Sequence, residues 1–199
     1  MATQTSILPD FPLSQILAKA ILNLLGWHIE TLHPKETKYV LVGAHHTSNW
    51  DLPLGLLFSL ATGIKFNFLG KDEAFRGPMG GLMRWLGGIP VNRREHTHFV
   101  DQIADEFRTR KELVIVITPE GTRRKTAYWK TGFYYIARAA QVPVALGYLD
   151  YPRKRLGIGK MITVSEDLEA DFAIIREFYA DKVGKYPEQH GEIRLRPQD

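Results

Sequence analysis

Short apolar runs alternate along the chain with longer stretches in which apolar positions recur every three or four residues. The short runs, rich in Val and Ile, predict strands over residues 39–44, 64–69, 89–92, 113–117, 142–149 and 161–164. Leu113-Val114-Ile115-Val116-Ile117 is apolar at every position, as in a strand covered on both faces. The longer stretches predict helices over residues 52–61, 80–86, 133–140 and 171–182. A further one spans 98–110, where Phe99, Ile103 and Phe107 repeat at four-residue spacing. Pro78 stands close to the start of the second of these, and the tail from Tyr186 is polar and expected to be loose at its end. Strands alternating with helices imply an α/β fold: one domain over residues 1–199, with a mostly parallel central sheet flanked by helices.

Residues 13–27 depart from this alternation. They are dominated by Leu, Ile and Ala, but Gln15, Lys19 and Asn23 recur at every fourth position and would line one face of a helix. Pro12 suits the first turn of such a helix. A membrane span needs about 20 mostly apolar residues without a polar stripe. The expectation for residues 1–30 is therefore an amphipathic helix that packs on the body of the protein and suits a membrane interface. The first residues show neither the basic run nor the small-residue cleavage site of a secretory signal.

Composition adds limits. The 199 residues are 44% hydrophobic and 24% charged, as in ordinary globular domains, with no repeat, low-complexity block or dividing linker. A net charge of +4 favours anionic lipid headgroups or acidic substrates as well as solubility. The basic residues are scattered and no recognition motif accompanies them, so nucleic acid is not an expected partner. Cysteine is absent, which excludes disulfides, thiolate metal sites and a cysteine nucleophile.

Two polar segments directly follow predicted strands, and ligands of open α/β sheets sit beyond the carboxyl ends of the strands. The first is Gly43-Ala44-His45-His46-Thr47-Ser48-Asn49-Trp50-Asp51. His46 can take a proton from a hydroxyl at neutral pH, and a carboxylate such as Asp51 on its other ring nitrogen would fix the tautomer. Asp51 also stands where the N-cap of the following helix is expected, and that role would compete. His45 reads as a turn or surface histidine. A zinc site of His45, His46 and Asp51 lacks a supporting His-x-x-x-His pair, so no metal is expected.

The second segment is Pro119-Glu120-Gly121-Thr122-Arg123. Gly121 permits close backbone approach, Arg123 offers a planar fork suited to phosphate, and Thr122 adds a hydroxyl donor. Glu120 cannot bind phosphate but can hold a basic partner or a substrate hydroxyl. Between the two segments, Gly87-Gly88-Ile89-Pro90-Val91-Asn92-Arg93-Arg94 ends a short strand in two arginines suited to the same anion.

These segments, with Val142-Pro143-Val144, follow the order and rough spacing of the four motif blocks of the glycerolipid acyltransferases. Over residues 38–150 the chain resembles the lysophosphatidate acyltransferase (PlsC-like) group. The resemblance implies transfer of a fatty acyl chain from acyl-CoA or acyl carrier protein to a hydroxyl of a phosphate-bearing glycerolipid such as lysophosphatidic acid, in phospholipid biosynthesis or remodelling. His46 would be the general base and Asp51 its partner. Arg93, Glu120, Gly121, Thr122 and Arg123 would contact the acceptor, and Pro143 would lie near the donor. No cofactor or metal is implied beyond the donor itself. The family's apolar acyl groove has candidate walls in Leu82, Trp85 and Trp129.

Three positions depart from the family pattern. Thr118 stands where an aromatic residue usually opens the third block, His45 where Asn is common, and Ala145-Leu146-Gly147 lacks the usual second proline. These leave the reaction type intact and the acceptor open. The helix at 13–27 would be a reduced form of the family's two-helix platform. The implied location is cytoplasmic, peripheral on the inner face of the cell membrane. A thioesterase using the same pair, or a non-catalytic lipid-binding protein, are the alternatives.

Overall fold

The computed structural model describes residues 12–91 and 96–197. Its centre is a seven-stranded sheet in the order β1-β7-β6-β2-β5-β3-β4. The strands are β1 (His28–Ile29), β2 (Lys38–Ala44), β3 (Asn67–Lys71), β4 (Gly88–Val91), β5 (Leu113–Ile117), β6 (Val144–Asp150) and β7 (Arg155–Ile162). All neighbours run parallel except β6 and β7. The helices are α1 (Pro12–Leu24), α2 (Asp51–Thr62), α3 (Gly80–Trp85), α4 (His96–Thr109), α5 (Gly132–Ala140) and α6 (Leu168–Tyr179).

Side-chain alternation along β2 divides the core. Val40, Val42 and Ala44 face one layer with Ile103 and Phe107 of α4, Phe133 and Ile136 of α5, and Phe172 and Ile175 of α6. Tyr39 and Leu41 face the other, with Ala18 and Leu22 of α1 and Leu54 and Phe58 of α2. The unbroken apolar run of β5 is thus a strand buried between two helical layers, as its sequence predicts. Each wholly buried side chain of this kind, such as Ile115, contributes about 1.5–3 kcal/mol.

Several boundaries move from the predicted ones. The strand expected from residue 64 begins at Asn67, because α2 ends in a left-handed Gly63 and the Thr62 hydroxyl accepts from the Ile64 N–H at 3.3 Å. The strand expected over 161–164 instead runs from Arg155 to Ile162, as the second arm of a hairpin with β6. Gly157 weakens its sequence pattern and is required there: a Cβ on it would lie 1.9 Å from the Glu30 carbonyl oxygen beside β1. α6 starts earlier than expected because Asp167 caps it, accepting from the Ala170 N–H at 2.9 Å.

The polar tail is not loose over its described length. The Tyr186 N–H donates to the Thr47 hydroxyl (3.2 Å), the Trp129 N–H to the Arg194 carbonyl (3.1 Å), and the Arg176 guanidinium to the Ile193 carbonyl (2.9 Å). Ile193 and Leu195 pack against the core, so the tail crosses the molecule as a strap. The expected amphipathic helix is α1, which buries Ala18 and Leu22 and exposes Leu13, Ile16, Leu17 and Leu24. No helix among the described residues is long and apolar enough to cross a membrane.

Candidate active site

β2 delivers the first motif to the carboxyl edge of the sheet. Beyond Ala44 the chain turns over Thr47 and Ser48 and enters α2 at Asp51. His46 Nδ1 and Asp51 Oδ2 stand 2.9 Å apart. The same oxygen accepts from the backbone N–H groups of Thr47 (3.1 Å) and Ser48 (3.0 Å), while Oδ1 accepts from the Tyr151 hydroxyl (2.6 Å). Asp51 is therefore not the helix cap; Trp50 occupies that position, without a side-chain bond. The carboxylate ties back to the turn before the helix, so holding the turn and holding the imidazole are one task.

With donors on both its oxygens, Asp51 is fixed as an acceptor, and the proton between it and His46 belongs on Nδ1. Nε2 is left with its lone pair, and His46 lines the cleft beyond the strand ends. That arrangement can take a proton from a bound hydroxyl.

The second motif arrives from β5. A turn closes with the Gly121 N–H on the Thr118 carbonyl (3.0 Å), and Gly121 takes a positive φ of 64°. Arg123 and Lys130 line the same cleft as His46. Glu120 points inward: it is buried, and its Oε1 accepts from the His46 backbone N–H at 3.2 Å. Burial pushes its carboxyl up to about 7. Its contact is with the backbone of the first motif, not with the cleft. Thr122 is exposed and its hydroxyl accepts from the Arg124 N–H at 3.3 Å, a bond internal to the turn. Arg93 lies outside the described residues.

His45 is buried, not a surface histidine. Its ring stacks on His190 of the tail, with Tyr179 and Trp129 edge-on around it. Burial first, then the neighbouring His190, holds it down to about 4, so it is neutral at physiological pH.

The cleft has a volume of about 680 Å³, within the usual range for small-ligand sites. Its apolar wall comes from Leu52, Gly55 and Leu56 of α2, Phe66 and Phe68 at β3, and Met83 and Leu86 at α3. The walls expected from sequence are displaced. Leu82 and Trp85 face away from the cleft and are exposed, since Met83 of α3 and Leu86 just after it are the positions turned inward; Trp129 is buried beneath His45. Lys130 and Tyr151 carry no sequence signal for a site, because only the fold brings them beside Arg123 and Asp51. Among the described residues no group of three or more His, Asp or Glu is placed to hold a metal ion.

Both the fold and the sequence have counterparts among known proteins. The fold resembles the crystal structure of the 1-acyl-sn-glycerophosphate (LPA) acyltransferase PlsC from Thermotoga maritima. The TM-score is 0.54 and the identity 16%, over 86% of this chain and 80% of that one. No curated protein matches the sequence. A family model described as Acyltransferase matches residues 27–145, more than half of the chain, and spans both motifs and the strands that carry them. The chain belongs to the acyltransferase family.

Proposed function

We propose that this chain is an O-acyltransferase that moves a fatty acyl chain from acyl-CoA or acyl carrier protein to a hydroxyl of a phosphate-bearing glycerolipid such as lysophosphatidic acid. The observation that carries this reading is the His46–Asp51 pair, 2.9 Å apart, beside an apolar cleft that also holds Arg123 and Lys130. The neighbour from Thermotoga maritima, by its description, acts on 1-acyl-sn-glycerophosphate.

In this reading the acyl chain lies along Leu52, Leu56 and Phe66, and the two cations grip the acceptor phosphate. His46 Nε2 takes the acceptor's hydroxyl proton as its oxygen attacks the thioester carbonyl carbon. The tetrahedral intermediate expels the thiolate, which recovers that proton from the imidazolium. The products are an ester and a free thiol, and no covalent acyl-enzyme forms. Arg93 joins the phosphate contacts, as the family pattern implies, and Glu120 acts by holding the His46 backbone. The chain works peripherally on the inner face of the cell membrane. The exposed leucine and isoleucine side chains of α1 support the membrane contact, and the choice of face follows from the family resemblance.

The test is a panel of acceptors with one radiolabelled acyl-CoA and one acyl carrier protein thioester, with product analysis. Labelled phosphatidic acid that depends on lysophosphatidic acid and is lost in His46→Ala supports the reading. Thiol release that ignores every acceptor would establish a thioesterase instead. Liposome binding without turnover of either donor would mark a non-catalytic lipid-binding protein.

A further inference from the structure

Asp51 is held by a residue a hundred positions away. The Tyr151 hydroxyl donates to Asp51 Oδ1 at 2.6 Å, on the oxygen that does not face His46. Tyr151 sits just past β6, where its N–H is bonded to the Val183 carbonyl at 2.9 Å. Its ring is fixed by Trp27, which meets it edge-on at 5.0 Å and 87°. Trp27 is itself buried at the end of the α1 segment, its N–H bonded to the Leu22 carbonyl at 2.8 Å.

We propose that Tyr151 is a positioning residue for the His46–Asp51 pair: its hydroxyl shares the charge of the carboxylate and fixes the plane in which Asp51 meets the imidazole. The assignment rests on the acyl-transfer reading for its consequence in turnover, but not for the hydrogen bond itself.

A carboxylate that accepts four donors has its charge spread over them, and each donor weakens its pull on the others. Tyr151 stays a donor because burial, then its bond to Asp51, raises its phenol well above the ordinary tyrosine range. Tyr151 does not line the cleft, so it acts through Asp51 and not on substrate. The titratable groups facing this assembly from other elements are Glu120 beyond β5 and Tyr186 of the tail.

The experiment uses Tyr151→Phe, which keeps the ring against Trp27 and removes only the hydroxyl. Two readouts separate the hydrogen bond from the reaction. In the substrate-free protein, the Nδ1–H proton of His46 is followed by NMR. With one donor gone, Asp51 draws more strongly on that proton, and its resonance moves downfield. In acyl transfer, kcat falls about three- to tenfold, the scale of a partly transmitted charge-assisted bond, with KM for donor and acceptor unchanged. The acid limb of the pH profile moves to higher pH, which a merely structural loss would not produce.

Incorporating 3-fluorotyrosine in place of Tyr151, a stronger donor of nearly the same size, moves the resonance the opposite way and stands as the test should Tyr151→Phe fail to fold. A His46 resonance indifferent to both changes overturns the proposal even if acyl transfer is confirmed. Opposite shifts in the two proteins uphold it even if the acceptor proves to be another lipid.

Discussion

The imidazole of His190 lies flat on that of His45, with ring centroids 3.9 Å apart and planes 16° from parallel. His190 belongs to the tail beyond the span matched to the family, and its Nε2 accepts from the Gly184 N–H at 3.0 Å. The stack therefore clamps the tail to the strand end that presents His46. His190→Ala removes the stack and leaves the Gly184 N–H without its acceptor, an expected cost of about 1–2 kcal/mol in urea unfolding at pH 7.5. The pH dependence has a definite sign. His45 is held down to about 4 in the fold, against 6.5 when free, so the unfolded chain binds the extra proton first. The stability that goes with a neutral His45 is full above about pH 6.5 and is lost as pH falls toward about 4. His190 is lowered in the same direction, by burial. His190→Ala must therefore lose less stability than wild type between those limits, and an equal loss would remove the histidine pair as its source.

Glu120 works in the opposite direction. Its carboxyl is pushed up by burial from an ordinary value of 4.5 to about 7, so the folded protein holds a proton that the unfolded chain has released. Its contribution is favourable below about pH 4.5 and is lost as pH rises toward about 7. Glu120→Gln keeps the acceptor for the His46 N–H and cannot ionise. The variant is expected to be more stable than wild type at pH 8, by up to about 2–3 kcal/mol, and no more stable at pH 4.5. Parallel stability curves across that range would show that Glu120 is solvated more than its burial implies.

How much of this site could be read in the chain follows from which interactions are local. The His46–Asp51 contact closes within one turn at the start of a helix, and its spacing was legible. The parallel strands β2 and β5 announce themselves by apolar runs, so their motifs could be placed at one sheet edge. The roles inside the third block are less legible, because the direction of a side chain depends on the turn: in the turn that holds Gly121 at positive φ, Glu120 points inward to the backbone of His46. The hairpin arm β7 reads short in the sequence because two glycines interrupt its alternation where other chain segments approach closely. The burial of His45 is not legible because its cover is a ring from the tail. Such long-range pairings, like Tyr151 with Asp51, leave no periodicity to read.

Chain-length selection should reside in α2. Gly55 lines the cleft, and a Cβ there meets nothing closer than Phe66 at 3.6 Å, so a larger side chain enters the cleft without displacing backbone. Gly55→Leu also favours the helix by removing an interior glycine. The expected result is a fall of about tenfold or more in kcat/KM for palmitoyl-CoA, with octanoyl-CoA spared. Equal losses on the two donors would place the acyl chain elsewhere.

Membrane attachment is carried in this reading by the outer face of α1. Leu13, Ile16, Leu17 and Leu24 are all exposed, while Ala18 and Leu22 hold the helix to the body. Replacing those four exposed residues by Ser leaves the packed face intact. Partition onto anionic vesicles is expected to drop by at least about 100-fold, since each such side chain is worth about 1.5–3 kcal/mol when buried. Undiminished cosedimentation of a folded variant would move the membrane contact to another surface.

Arg123 and Lys130 lie on the same cleft as His46, and in the proposed reaction both hold the acceptor phosphate. Lys130 stands against Gly121, where a Cβ would come within 2.6 Å of its ammonium nitrogen, so the turn and the lysine are mutually placed. Loss of a charge-assisted contact to a phosphate costs about 1.5–3 kcal/mol. Arg123→Ala and Lys130→Ala are each expected to raise KM for lysophosphatidic acid about tenfold or more. A monoacylglycerol, which offers the hydroxyl without the phosphate, should be a poor acceptor for wild type and no worse for either variant. The contrast between the two acceptors separates phosphate recognition from general damage to the cleft: equal losses on both would show that these cations support the fold of the turn and do not bind the headgroup.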